Sequence, residues 1–294
     1  MELGELIKLN RKKMKMTQKE LSNGICTQAL ISRVEHGDII PNQSILNKIG
    51  ARLNLSSDDL QLVKSNTRYR EKIEQLKQTI RKYLTQRDYK TIELILHHNK
   101  PLVDNVQNAN DKAFLSWIEA SLQDKIYNQS DIALDLLNEI SLNDIEDELV
   151  IEILNAIGVI YYRNGDFNRA INVFQNAVNV IDEQIDFKVQ VKVMLNYALS
   201  LEEIDGDKKA LEVILHSINI VVENESLFIL GDLYHTKAHI LRKLGHLLEA
   251  KKNNQIALSL YMIQNNDEFQ TMTQIEIKEL SEEMEEIPSF DYMS

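Results

Sequence analysis

Asn155-Ala-Ile-Gly158-Val-Ile-Tyr161-Tyr-Arg-Asn-Gly165-Asp-Phe-Asn-Arg-Ala170-Ile-Asn-Val-Phe174-Gln-Asn-Ala177 is the stretch from which the fold is read. Gly165 is suited to ending one helix, so the stretch divides into two helices joined by a short turn. Gly158 and Ala170 are small enough for two antiparallel helices to approach closely, and Tyr161 and Phe174 fill the space around them. The spacing of Gly, Tyr, Gly, Ala, Phe and Ala is a demanding one, which few other folds require.

Weaker copies extend outward from this pair. Leu195-Asn196-Tyr197-Ala198 with Gly206 and Ala210 forms the next, and Tyr234, Ala238, Leu241, Gly245, Ala250 and Ala257 the one after. Trp117, Ala133, Leu137 and Ile140 make an upstream copy, and Leu76, Tyr83, Asp88-Tyr89 and Ile92 a degenerate first one. The arrangement resembles the tetratricopeptide repeat, with five helix pairs across residues 69–265. Alanines 170, 210 and 250 recur every 40 residues, beyond the usual period of about 34, so the helices are expected to be longer than in an ordinary repeat. Residues 267–287 are expected to form a final amphipathic helix, acidic on its outer face, that caps the stack.

Composition agrees with an all-α chain. Only 9 Gly and 3 Pro punctuate 294 residues, too few for a turn-rich fold. The single cysteine, Cys26, excludes an internal disulfide and a Cys-rich zinc site and fits a reducing compartment. The first residues carry acids where a signal peptide carries bases, and no apolar run reaches the roughly 18 residues of a membrane helix, so a soluble cytoplasmic protein without membrane association is expected. The net charge of −12 is unevenly spread: residues 1–65 hold ten Lys+Arg against seven Asp+Glu, leaving 23 against 38 downstream. A small basic head precedes a large acidic body, and the division falls at 65/66.

Within the head, Thr17-Gln18-Lys19-Glu20 fits a capping box that opens a short helix. Gly24 breaks that helix, Thr27 is a second N-cap candidate, and Gly37 suits a left-handed stop. Leu21, Ile25, Leu30, Ile31 and Val34 pack the helices together, which leaves Gln28, Ala29, Ser32 and Arg33 pointing away and able to reach base edges. The run Thr17–Ser22, then Thr27–Gly37 and Pro41, resembles the helix-turn-helix of the Cro/C1-repressor class. It covers about 60 residues, with Ile45, Leu46, Ile49, Leu53 and Leu55 supplying the closing helices of a five-helix domain. By that resemblance Gln28, Ala29, Ser32 and Arg33 lie on the recognition helix, and Gln18 at a helix N-terminus able to meet phosphate. Arg33 suits guanine O6 and N7, while Lys12, Lys13, Lys15 and Lys19 suit phosphates. A small bundle used only for protein contacts is the alternative. Cys26 is read as a half-buried turn residue.

In a stack of repeats the first helix of each pair lines the concave face, a surface that usually holds an extended peptide. Asn155, Asn196 and His235 are read as one inner-face register, and an asparagine amide both donates and accepts, so it can pair with any peptide backbone. Glu152, Tyr162, Lys192, Ser200, His239 and Arg242 lie on the same or adjacent strips, and His235, Lys192 or Arg242 could read side chains or a terminal carboxylate. Ordinary solvated polar positions are the alternative for each. His235-Thr-Lys-Ala-His239 has the spacing of a zinc pair, but Thr236 stands where a zincin has glutamate. His97 and His98 are adjacent and point apart on a helix. No phosphate loop, nucleophile elbow or Cys/His dyad is present, and the paired acids 202–203, 282–283 and 285–286 read as solvated faces. Neither enzymatic activity nor a cofactor or metal is expected.

Together, the head and the repeats resemble the peptide-pheromone-responsive regulators of Gram-positive bacteria, the RNPP family, and in particular its PlcR-like branch. Ile25-Cys26, Gln28, Ser32-Arg33 and Glu35 carry the likeness in the head, Asn155-Ala156-Ile157 and Asn164-Gly165 in the third repeat, and Leu241-Arg242-Lys243-Leu244 in the fifth. The resemblance implies an N-terminal five-helix DNA-binding domain at 1–65 followed by a right-handed superhelix at 66–287. It also implies a homodimer that binds an inverted-repeat DNA operator and responds to a short linear signalling peptide in quorum sensing. A regulator of a phage or mobile element, held by a protein partner in the same repeats, is the competing class.

Overall fold

The computed structural model describes residues 3–286, less the side chains of 57–59, 61–64 and 286. The acids expected to set the character of the N-terminus include Glu2, which lies outside the described residues, as does the expected helix end at 287. Among the described residues there are sixteen helices and no strand. They divide into two compact units, Met1–Val106 and Gln107–Ser294. No helix of the described residues is long and apolar enough to cross a membrane.

The first unit opens with α1 (Leu3–Lys13), α2 (Gln18–Ser22), α3 (Gln28–Glu35) and α4 (Gln43–Arg52), followed by α5 (Ser57–Thr85), α6 (Tyr89–His98) and the short α7 (Lys100–Val103). Local chemistry sets its boundaries. The Thr17 hydroxyl accepts the Glu20 amide at 3.1 Å while the Glu20 carboxylate accepts the Thr17 amide at 2.6 Å, a complete capping box. Thr27 caps α3 through the Leu30 amide, and Gly37 takes φ +86 just beyond its end. Leu21, Ile31, Val34, Leu46, Ile49 and Leu53 are enclosed in one core with Ile25, Leu30, Ile45 and Leu55 packed around it. Leu60 at the start of α5 belongs to that core, whereas Ile73, Leu76 and Ile80 further along the same 29-residue helix are buried beyond it. One continuous helix therefore runs through the 65/66 boundary.

The second unit stacks α8 (Ala109–Lys125) with α9 (Ser130–Asn138), α10 (Asp147–Arg163) with α11 (Phe167–Val180), α12 (Phe187–Glu202) with α13 (Asp207–Glu223), and α14 (Leu230–Lys243) with α15 (Leu247–Ile263), and ends with α16 (Asp267–Glu286). These are four pairs, and α5 and α6 of the first unit are a further pair of consecutive helices. The helices from α10 to α15 are 14 to 17 residues long, as the 40-residue period demands. A methyl group at Gly158 would lie 2.5 Å from the Phe174 ring, so the close approach depends on that glycine. The turn after each inner helix needs one left-handed residue: Gly165 at φ +75, Asp205 at φ +58 and Gly245 at φ +82. In the fourth repeat this role belongs to Asp205. Gly206 instead is needed because a side chain there would meet the Leu201 carbonyl oxygen at 2.8 Å.

Candidate functional site

In the head the candidate DNA-contacting residues differ in exposure. Lys12, Lys13, Thr27, Gln28, Ala29 and Arg33 are exposed, and Gln18 and Ser32 are half-buried. The Thr27 hydroxyl accepts the Leu30 amide, so capping is its first task. Behind the surface lies a network that the sequence pattern did not reveal. Glu35, on the inward side of α3, has a side chain only 1% exposed and is met by two Arg11 nitrogens, Nε at 2.5 Å and Nη2 at 2.8 Å. Gln18 Nε2 donates to the same carboxylate at 3.0 Å, and Gln28 Nε2 donates to Gln18 Oε1 at 3.3 Å. Burial opposes the Glu35 charge, but the bonds from Arg11 and Gln18 outweigh it and hold the carboxyl below the ordinary value. Two expected surface residues are thus positioned from beneath by an acid. The signal available in sequence was an isolated Glu35 one turn after Ile31 on the apolar side.

In the second unit the inner helices α10, α12, α14 and α16 are joined by polar bonds between residues 41 apart. Asn196 Nδ2 donates to Asn155 Oδ1 at 2.8 Å, and the Tyr162 hydroxyl donates to Glu203 at 3.1 Å. Lys243 donates to the Glu202 carbonyl at 3.1 Å, His235 Nε2 meets Glu276 at 2.8 Å, and Arg242 pairs with Glu283. Equivalent positions are 40 apart, as alanines 170, 210 and 250 show. A bond to the next helix must join a residue facing forward to one facing back, and this adds one. The equivalent of Asn155 is therefore Leu195 and then His235, while Asn196 answers to Ala156 and Thr236. The expected single register of Asn155, Asn196 and His235 is two neighbouring positions, brought together because they face each other across adjacent helices.

The expected groove residues fare differently. Asn155 and Asn196 are half-buried and bonded to each other. Tyr162 packs edge-on against Phe167 at 5.5 Å, and burial together with the neighbouring Glu203 charge pushes its hydroxyl up to about 12. Glu152 is half-buried and Lys192 exposed on the same strip. Ser200 is fully enclosed and its hydroxyl donates to the Asn196 carbonyl at 2.9 Å, so it presents no surface to a ligand. A serine at that point of the strip reads as polar, but helix–helix packing covers it. His235 and His239 are engaged by different carboxylates, Glu276 and Glu202. Glu202 is buried, which opposes its charge, yet His239 and Lys243 together hold it below the ordinary carboxylate value, and that bond in turn raises His239.

Arg242 donates to Glu279 at 3.2 Å as well as to Glu283. The acids of α16 are thus not confined to an outer face. Glu276, Glu279 and Glu283 turn toward α14, Glu282 and Glu285 remain exposed, and Leu280 is buried against Leu241 and Ala250. In its contacts α16 stands as a sixth inner helix. The reason is the same 41-residue offset, which brings Glu276 and Glu283 opposite His235 and Arg242.

These features define a helix-turn-helix head followed in the chain by a tetratricopeptide-like stack whose inner helices carry a polar strip. The sequence signature of the RNPP family C-terminal domain matches residues 70–281, and that of a helix-turn-helix matches 7–60. The chain belongs to the RNPP family. Among solved structures it is similar to Bacillus thuringiensis PlcR in complex with the peptide PapR7 and DNA, at 24% identity over 92% of this chain and 98% of that one, TM-score 0.63. It is similar also to the apo form of the same protein, at 23% identity over 94% and 98%, TM-score 0.64. A Rap protein complexed with competence and sporulation factor matches at 14% identity over 94% of this chain and 71% of that one, TM-score 0.51. At these identities the likeness is one of fold. No curated protein sequence matches the chain.

Proposed function

We propose that this protein is a cytoplasmic transcriptional regulator that acts by binding rather than catalysis. Residues 1–65 bind an inverted-repeat operator as a homodimer, and the inner face of the repeats within 66–287 binds a short linear signalling peptide. The observation that carries the reading is the Asn155–Asn196 pair. Their mutual bond leaves Asn155 Nδ2 and Asn196 Oδ1 as a donor and an acceptor side by side on two adjacent helices. That is the complement of a peptide unit, whose desolvated groups would each cost about 1–3 kcal/mol if left unpaired. On the head, exposed Gln28, Ala29 and Arg33, with half-buried Ser32, form the outward face of a capped helix, with Lys12 and Lys13 placed for phosphates.

The family membership and the solved likenesses support the reading: the PlcR structure is described with a peptide and DNA, and the Rap structure with a signalling factor. Two measurements test it. Selection from random DNA duplexes with the full chain should enrich an inverted repeat with half-sites about one helical turn or a multiple apart. Calorimetry with peptides recovered from a random heptapeptide pool should lose about tenfold or more in affinity with Asn155→Ala or Asn196→Ala. Unchanged affinity in both folded variants would move the site elsewhere. Retention of a large protein and of no peptide would favour control by a protein partner.

A further inference from the structure

The basic side chains of the inner strip are not alike. His235, His239, Arg242 and Lys243 each meet a carboxylate. Lys188 and Lys192, one turn apart at the start of α12, are exposed and have no carboxylate partner among the described residues. Both ammonium groups converge instead on the Phe228 ring, at 5.8 Å and 5.6 Å from its centre. Asp186 is close in sequence, but its carboxylate caps α12 by accepting the Lys188 amide at 2.7 Å.

This placement runs against two electrostatic preferences. A lysine in the first turn faces the positive end of the helix dipole, and like charges four residues apart repel. It also occurs in a body with a large excess of acids. The platform beneath is firmly built. Phe187 and Phe228 meet edge to face at 6.4 Å. The Ser226 hydroxyl accepts the Phe228 amide at 3.1 Å, and Gln264 donates to the Leu227 carbonyl at 3.1 Å. Ile229 follows in the left-handed region at φ +44, a conformation that a β-branched residue rarely adopts and that surrounding contacts must hold. Leu227 stays 48% exposed beside the cluster.

We infer that Lys188, Lys192 and Phe228 form a docking site for a ligand carboxylate with an apolar side chain next to it, at one end of the inner strip. The inference rests on the peptide-groove reading above and deepens it. Arg242 and His235 are already bonded to carboxylates of α16, so the lysine pair is left to read a terminal or side-chain acid. A carboxylate placed between the two ammonium groups gains charge-assisted hydrogen bonds, while the aromatic pair beneath keeps water from one side. Leu227 offers contact to the adjoining side chain.

The test uses the full chain and three pools of N-acetylated heptapeptides: peptides with uncharged side chains and a free terminal carboxylate, the same peptides amidated, and amidated peptides with one glutamate. Retention is read by mass spectrometry after gel filtration. At least one acid-bearing pool should be retained about tenfold or more over the amidated uncharged pool. Lys188→Met with Lys192→Met should abolish that preference, and Lys188→Arg with Lys192→Arg should preserve it. Preference for the first pool assigns the site to the chain terminus and for the third to a side chain. Equal retention of all three, or a preference that survives the methionine variant, overturns the carboxylate site and leaves the groove standing. Retention of no pool overturns both.

Discussion

Removing the Glu35 side chain should unlock the head from inside. In Glu35→Ala the Arg11 guanidinium, whose side chain is 11% exposed, loses two charge-assisted bonds and keeps the Met16 carbonyl at 2.7 Å, while Gln18 loses its anchor. Breaking one partner of a buried pair costs about 3–5 kcal/mol. The remaining Met16 bond and the slight exposure of Arg11 place the expected loss toward the lower figure. Amide exchange at Ile31 and Val34, both enclosed in the head core, reports that loss in the full chain as faster exchange, by a factor of about 150 for 3 kcal/mol. The pair is not needed for stability as such, because replacing both charges with apolar groups of similar volume is often neutral. Arg11→Met with Glu35→Met should therefore recover to within about tenfold of the parent while Gln18 remains unanchored. The pH dependence has a definite sign. Glu35 is held below the ordinary carboxylate value, so its contribution is present above that value and lost as pH falls through the lower folded one. Exchange in Glu35→Ala less than tenfold faster, or a double variant as labile as the single one, would refute the reasoning.

Arg33→Ala should relax operator preference at one base pair by about 1–3 kcal/mol, whereas Lys12→Ala should weaken all duplexes alike and reduce the salt dependence; competition among selected duplexes at two salt concentrations separates them. His239 is raised by its bond to Glu202, so that bond contributes fully below the ordinary histidine value of about 6.5 and is lost as pH rises through the higher folded value. Thermal midpoints should therefore fall more steeply above pH 6.5 in the parent than in His239→Gln, and parallel curves would contradict the pairing. A single helix-turn-helix reads too few bases to select a site, so the full chain at micromolar concentration should sediment as a dimer, and a monomer would count against an inverted-repeat operator.

What could be read from the sequence alone was whatever depends on neighbours within a turn or two. The capping box at Thr17, the cap at Thr27 and the stop at Gly37 are local hydrogen-bond and backbone matters. The three helix pairs from α10 to α15 follow from small residues recurring at a fixed interval, as Ala170, Ala210 and Ala250 show. The tertiary structure decided everything that passes between helices. It enclosed Ser200, gave the left-handed turn to Asp205 rather than Gly206, and set Glu35 beneath Gln18. It also joined Asn155 to Asn196 and brought Glu283 onto Arg242 through an offset of 41 against a period of 40. The repeat period is written in each helix pair, but the extra residue arises only when a forward-facing side chain meets a backward-facing one on the next helix. That meeting depends on how the helices pack, which no short stretch of sequence contains.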